Sequence, residues 1–176
     1  MLISPITAIE HGWITHPDCI TVNDWKDRNF VSSNAIDITL DRLFIPDDSS
    51  SSSFVLSEQT KKMKQFKEAI AINGFFELSH GYFDVLSDFY VTVPTGHAAY
   101  LIVRSTLNRN GLFVTNGLYD TKFNGNIGFA LHNNSNTVAK IAPHTRIAQF
   151  IFVKSDNYGH YTGGYNTIPG QHWTKA

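Results

Sequence analysis

Cysteine is nearly absent: Cys19 is the one cysteine in 176 residues. No intrachain disulfide can form, which fits a reducing, cytoplasmic compartment. One thiol also excludes the common zinc nucleobase deaminase, which needs a C-x-x-C pair beside a further His or Cys. Charge is sparse as well. Asp, Glu, Lys and Arg make up 16% of the chain, against about 25% in ordinary soluble domains. They balance to a net charge of −1, so no broad basic surface for nucleic acid is expected. No apolar run reaches the ~18 residues of a membrane span. The N-terminal MLISPITAIEHGW has neither the basic stretch nor the long apolar stretch of a signal peptide, and no membrane partner is expected. The eight histidines show no H-E-x-x-H spacing, and there is no Walker A motif or complete G-x-G-x-x-G.

What remains is rich in aromatics and turn residues. Thirteen Phe and seven Tyr suit a β-rich core. From Gly74 onward, short runs such as FFELS, FDVLSDFYVTV, AAYLIVRS, LFVTN, NIGFAL and TRIAQFIFV are punctuated by Gly, Asn, Pro and Asp. Repeated short strands with turn signals predict a mainly β fold, a barrel or sandwich. AIDITL, 35–40, alternates like a further strand. Two helices are expected. Ser4-Pro5 reads as an N-cap with proline at the first helical position, and Gly12 as the stop. SEQTKKMKQFKEAIA, 57–71, places Met63, Phe66 and Ile70 on one helical face. PDDSSSSS, 46–53, reads as a surface loop. With no internal repeat and no linker, the chain is one domain, 1–176. Its Gly- and aromatic-rich end, 160–176, is either disordered or an arm that orders on something.

Two stretches carry chemistry. In VRSTLNRNG, 103–111, an apolar strand runs into Arg104 and Ser105. Ser105 suits the start of one helical turn and Gly111 its end. Backbone N–H groups, the hydroxyls of Ser105 and Thr106, and the guanidiniums of Arg104 and Arg109 could together hold an anion. Guanidinium suits phosphate, because two parallel N–H bonds can form. The same residues also describe a capped turn with surface arginines. In NGLYDTKFNGNIGFALHN, 116–133, glycines and asparagines bracket two strand-like runs, a β-hairpin. Asp120 near its tip is either a carboxylate that can take a proton from water or a turn aspartate bonded to its own backbone.

Taken in order, AIDITL, RSTLNRNGL, GLYDTKFNGNIGFAL, RIAQFIF and a late GGY resemble the dUTPase and dCTP deaminase superfamily over most of residues 30–171. The resemblance implies a distorted β barrel or jelly-roll with short helices. It also implies a homotrimer with active sites between subunits, a deoxynucleoside triphosphate as substrate and Mg2+ as cofactor. Arg104, Ser105 and Arg109 match the phosphate-binding motif, and Gln149 a glutamine close to the phosphates. Asp37 matches the aspartate that positions the water shell of the magnesium. Asp120 matches the carboxylate that holds the attacking water, and Phe123 the aromatic beneath the deoxyribose. The backbone of Asn116, Gly117 and Leu118 would read the pyrimidine edge. Tyr165, in GGY, matches the aromatic of the arm that closes over the base. The arginine that usually precedes GG is absent, and Thr162 stands there.

The two branches attack different atoms. A dUTPase directs water at the α-phosphorus. The deaminase directs water at C4 of cytosine with a glutamate on the second hairpin arm, and that position is Ala130. A methyl group accepts no proton, and losing a general base costs ~10²–10⁴ in rate. His132, two residues on and on the same strand face, is one substitute base, displaced by roughly 6.8 Å. The expectation is therefore hydrolysis of dUTP to dUMP and pyrophosphate. The alternatives are a dCTP deaminase, or a bifunctional enzyme, with rebuilt geometry, and a nucleotide-binding homologue with little turnover.

Overall fold

The computed structural model describes residues 1–47, 55–57, 61–62, 64–156, 159, 161–163, 166 and 168–171. In chain order the elements are α1 Pro5–Glu10, β1 Ile14–Thr15, α2 Val22–Asp27, β2 Ile36–Leu40, β3 Arg42–Pro46, β4 Val55–Leu56, β5 Lys61–Lys62, β6 Phe66–Glu68, β7 Phe76–Leu78, β8 Gly81–Thr92, β9 His97–Val103, α3 Ser105–Arg109, β10 Leu112–Thr115, β11 Asn124–Asn133, β12 Ala139–Ile141 and β13 Thr145–Lys154. The main sheet runs β10-β11-β8-β3-β6, with β1 on the far part of β8. A second sheet runs β2-β13-β9, and two-stranded pairs join β12 to β7 and β4 to β5. Every pairing within these sheets is antiparallel.

The two larger sheets face one another across the core. β13 contributes Ile147, Phe150 and Phe152, β8 contributes Val85, Phe89 and Val91, and β11 contributes Phe129 and Leu131, all buried. β2 is buried along its whole length. Its odd residues Asp37 and Thr39 are polar, so its second face is also covered, by polar partners. The mainly β, jelly-roll expectation is borne out, although among the described residues the sheets do not close into one continuous barrel. No helix among the described residues is long and apolar enough to cross a membrane.

Two local expectations change. The helix expected over 57–71 is absent among its described residues. β5 and β6 stand there instead, with Phe66, Lys67 and Glu68 pairing with Pro46, Ile45 and Phe44 of β3. Arg42 fixes β6 through paired bonds to Glu68, Nε to Oε1 at 2.7 Å and Nη2 to Oε2 at 2.8 Å. Ile70, expected on an inward face, is 85% exposed, while Met63 lies outside the described residues. Strand pairing to a sheet edge has overridden a weak helical propensity. Conversely, α2 forms where no helix is read from the sequence. Thr21 caps it in a reciprocal box with Asp24, and Trp25 anchors it, 2% exposed, in the core. The stretch 48–53 of the expected loop lies outside the described residues.

Candidate functional site

The first feature is built around Asp37. It is 4% exposed and accepts from Gln149 Nε2 at 3.1 Å and from Arg146 Nη1 at 3.3 Å. Arg104 Nη2 approaches the same carboxylate at 3.7 Å. In a regular strand, residues 146 and 149 would point to opposite faces, because their separation is odd. A bulge prevents this. β13 shifts register between Arg146 and Ala148 against β2, and the extra residue re-aims the strand. Arg146 and Gln149 therefore reach the same aspartate. Arg104 follows β9 directly and is locked to β13 by its backbone N–H to Ile147 O at 3.1 Å and its Nη1 to Arg146 O at 3.3 Å.

From that anchor α3 turns outward. Arg104 is its N-cap residue rather than Ser105, and Gly111 follows the C-cap at φ 78°. The helix has five residues, too short for a sizeable macrodipole, which builds up over aligned peptide units. Any pull on an anion here comes from guanidiniums, hydroxyls and individual N–H groups. Ser105, Thr106 and Arg109 are all exposed.

The second feature is a cavity of about 620 Å³ between the main sheet and the 116–123 loop, lined by Asn116, Gly117, Leu118, Tyr119 and Phe123 from the loop and by Asp84, Thr115, Gly128 and Ala130 from the sheet. The expected hairpin exists, but its arms are β10 and β11, with Thr115 opposite Ala130. Between them the loop crosses to the other sheet, where Tyr119 and Ala99 exchange backbone bonds at 2.9 Å. Tyr119 donates its hydroxyl to Gly128 O at 2.7 Å. Burial pushes the ionisation of that phenol well above its ordinary range, and the charge of Asp84 pushes it further.

Asp120 sits at the turn that ends this loop. Its backbone O accepts from Phe123 N at 3.0 Å, and Lys122 N is held by Val93 O at 2.8 Å. Thr121 donates to Pro94 O at 3.0 Å. These bonds fix Lys122 at φ 64°, a costly region for a residue with a side chain. Among the described residues the Asp120 carboxylate has no partner within the chain, and it is exposed. Phe123 is 7% exposed, with Tyr119 and Tyr161 against it at 5.2 and 5.4 Å between ring centres.

Parts of the 160–176 stretch lie across the same cavity. Tyr161 N donates to Thr121 O at 2.8 Å, Gly170 N to Asn126 Oδ1 at 2.7 Å and Arg42 Nη1 to Gly170 O at 3.0 Å. Tyr161, Gly163 and Gln171 line its rim. Tyr165 lies outside the described residues. His132 does not line the cavity. It touches Thr115 instead, Nε2 to Oγ1 at 2.8 Å. Sequence reasoning missed Asp84, Thr115 and Asn126. Asp84 belongs to a strand with no recognisable motif, and only sheet register places it beside Ala130.

A third polar group joins Asp41 with Asp88 and His144, and Asp41 is its centre. Asp41 accepts from Thr39, Ser87, the Asp88 backbone and His144. It clasps β2, β8 and the start of β13 together.

Residues 73–170 match the dUTPase family model. A Methanopyrus kandleri protein named probable deoxyuridine 5'-triphosphate nucleotidohydrolase is 30% identical over 140 residues, covering 79% of this chain and 89% of that one. A dUMP-forming dCTP deaminase of Sulfurihydrogenibium is 37% identical over 90 residues, covering 49% of this chain and 48% of its own. Among solved structures, the 2'-deoxycytidine 5'-triphosphate deaminase of Agrobacterium tumefaciens is similar with a TM-score of 0.61 at 11% identity, over 86% of this chain and 47% of that one. The chain thus spans about half the length of these two deaminases. Fold and sequence together define a mainly β protein of dUTPase-like architecture. The chain belongs to the dUTPase family.

Proposed function

We propose that this chain hydrolyses dUTP to dUMP and pyrophosphate. The observation that carries the reading is the pairing of two features: a loop-lined cavity whose lining residues Tyr119 and Phe123 flank a turn with an exposed carboxylate, Asp120, unpartnered among the described residues, and an arginine and a glutamine anchored on one buried aspartate. The cavity would take the base and sugar, with the backbone of Asn116 to Leu118 reading the pyrimidine edge. Ser105, Thr106, Arg104, Arg109 and Gln149 would hold the phosphates, a task suited to guanidinium forks. Asp120 would orient a water in line with the departing pyrophosphate and take its proton. Most of the gain is positioning and charge stabilisation, as in phosphoryl transfer generally.

Mg2+ fits the phosphate side only at a distance. Both oxygens of Asp37 are engaged by Gln149, Arg146 and Arg104, so this carboxylate suits contact through water. Magnesium is commonly held this way, keeping several waters and using substrate phosphates as ligands. When bound, the ion would offset charge on the triphosphate.

The site is further read as shared within a homotrimer. Tyr119 sits beside Ala99, and Arg104 lies five residues further along the β9 direction, roughly 16 Å at ~3.3 Å per residue. That is too far for Asp120 and Arg104 of one chain to serve one α-phosphorus. A neighbouring copy would supply the missing half. The arm, 160–176, would close the site, its phosphate clamp weakened by Thr162. Deamination through the usual glutamate is disfavoured, because Ala130 stands at that position on the cavity floor.

The test is a product screen with dUTP, dCTP and the other deoxynucleoside triphosphates plus Mg2+. dUMP and pyrophosphate from dUTP are expected. Ammonia and dUTP from dCTP alone would overturn the proposal in favour of a deaminase. Tight binding without product would overturn it in favour of a non-catalytic nucleotide binder.

A further inference from the structure

The cavity floor holds a carboxylate on a strand that carries no family motif. Across three adjacent strands, Thr115 stands opposite Ala130, and Ala130 opposite Asp84. Directly opposed residues of an antiparallel pair share a sheet face, with β-carbons about 4.5–5.5 Å apart. All three line the cavity, and Asp84 is half-buried. The influence of its charge on the buried Tyr119 hydroxyl agrees with a side chain turned toward the cavity. The methyl of Ala130 leaves this carboxylate room. A glutamate at 130 would set like charges directly opposite, an unfavourable pair. At this level of the sheet the carboxylate stands on β8, one strand away from Ala130.

We propose that Asp84 is a specificity-determining residue: its carboxylate accepts hydrogen bonds from the exocyclic amino group of a 4-aminopyrimidine, so that the cavity takes the base of a deoxycytidine nucleotide as well as uracil. This rests on the cavity being the base pocket of the pyrophosphohydrolase proposed above. An ionised carboxylate only accepts hydrogen bonds, and Asp and Glu are the side chains suited to the cytosine amino group. Cytosine directs two N–H bonds outward at position 4. Uracil carries an oxygen there, acceptor against acceptor, and so gains no hydrogen bond from such a carboxylate at position 4. The neighbouring Thr115 hydroxyl can donate or accept, and serves either base.

The experiment measures equilibrium binding of dCTP and dUTP to the full chain in an Asp120→Asn background without Mg2+, where turnover is expected to be slow. Asp84→Asn and Asp84→Ala are compared with Asp84. Asp84→Asn should weaken dCTP by about 10-fold or more while dUTP is unchanged or tightened, because an amide can donate to the uracil oxygen. Asp84→Ala should weaken dCTP and spare dUTP, and retained dUTP binding certifies the fold of both variants. An unchanged ratio of the two affinities in both variants would overturn the assignment of Asp84 and leave the proposed hydrolase intact. Failure of the Asp84 protein to bind either nucleotide would overturn both.

Discussion

Asp120 and Asp37 are both singled out by the family resemblance, yet their surroundings differ sharply. Asp37 is buried and saturated, with Gln149 and Arg146 bonded to it and Arg104 close by. It positions other side chains. Asp120 is exposed, and its carboxylate is bonded to nothing within the described chain. Such a carboxylate holds no other element in place, which suits the proposed role of orienting a water. Asp120→Asn should therefore leave thermal stability and dUTP affinity nearly unchanged while lowering kcat by ~10²–10⁴, the usual yield of a general base. Steady-state kinetics beside a thermal melt check this. A variant with normal turnover would remove Asp120 from the chemistry. His16 is the residue to watch for pH. It lies between Phe30 and Phe89, ring centres at 5.2 and 4.7 Å, and its Nδ1 accepts from Asp18 N at 3.2 Å. Burial holds its pKa below 6.5, against the opposing pull of Asp18, Asp41 and Asp88. A lowered value means the folded chain binds this proton less readily than the unfolded chain. The associated stability is fully present above pH 6.5 and is lost as pH falls below it, levelling off under the folded value. Denaturant titrations from pH 8 to 5 should show this loss, and His16→Asn, which keeps an acceptor for Asp18, should flatten part of it.

At the scale of elements, two bulges decide what the sites look like. One in β13 turns Arg146 and Gln149 toward the same aspartate. The other interrupts the β11–β8 ladder between Asn126 and Gly128, where Asn126 bonds Ser87 O at 2.9 Å and receives Gly170 N. Bulges leave little trace in hydrophobic patterning, which explains much of what the sequence did and did not disclose. Alternation and turn residues were enough for β2, β8, β9, β11 and β13, because each carries a run of alternating apolar residues that survives the local bulges. They were insufficient for β6, whose pairing with β3 depends on the distant Arg42–Glu68 contact. The motif residues of the 103–111 and 116–123 segments could be picked out in advance. Asp84 could not, since its place beside Ala130 exists only through register. That register is itself testable. Ala130→Glu should lower stability by about 1 kcal/mol through a like-charge pair opposite Asp84. The double variant Ala130→Glu with Asp84→Asn should recover most of the loss. Equal melting temperatures for the single and double variants would show that residues 84 and 130 do not face each other.

On the scale of the whole molecule, Arg104 and Asp120, the two halves of the proposed hydrolytic site, sit on different parts of one chain. Arg104 follows the end of β9, and Asp120 adjoins Tyr119, which is bridged to Ala99 in the first half of that strand. In the proposed trimer, closed cyclic symmetry would repeat one interface around the ring, so that each subunit could bring Arg104 to the Asp120 of its neighbour. The consequence can be read from two inactive proteins. On the proposed reading Arg104→Ala would lack the phosphate half and Asp120→Asn the water-holding half, and each alone should be nearly inert. If Arg104 of one subunit serves the same nucleotide as Asp120 of its neighbour, co-assembling the two variants in equal amounts restores intact sites. Random mixing in a cyclic trimer gives each site one chance in two of an intact Arg104 and one in two of an intact Asp120, so about a quarter of native turnover should return. The measurement is dUTP hydrolysis after denaturing and refolding the variants together, with light scattering to establish that trimers have formed. Trimers that remain inert would show that both halves act within one subunit. The roughly 16 Å along β9 would then have to be closed by rearrangement of the 116–123 loop.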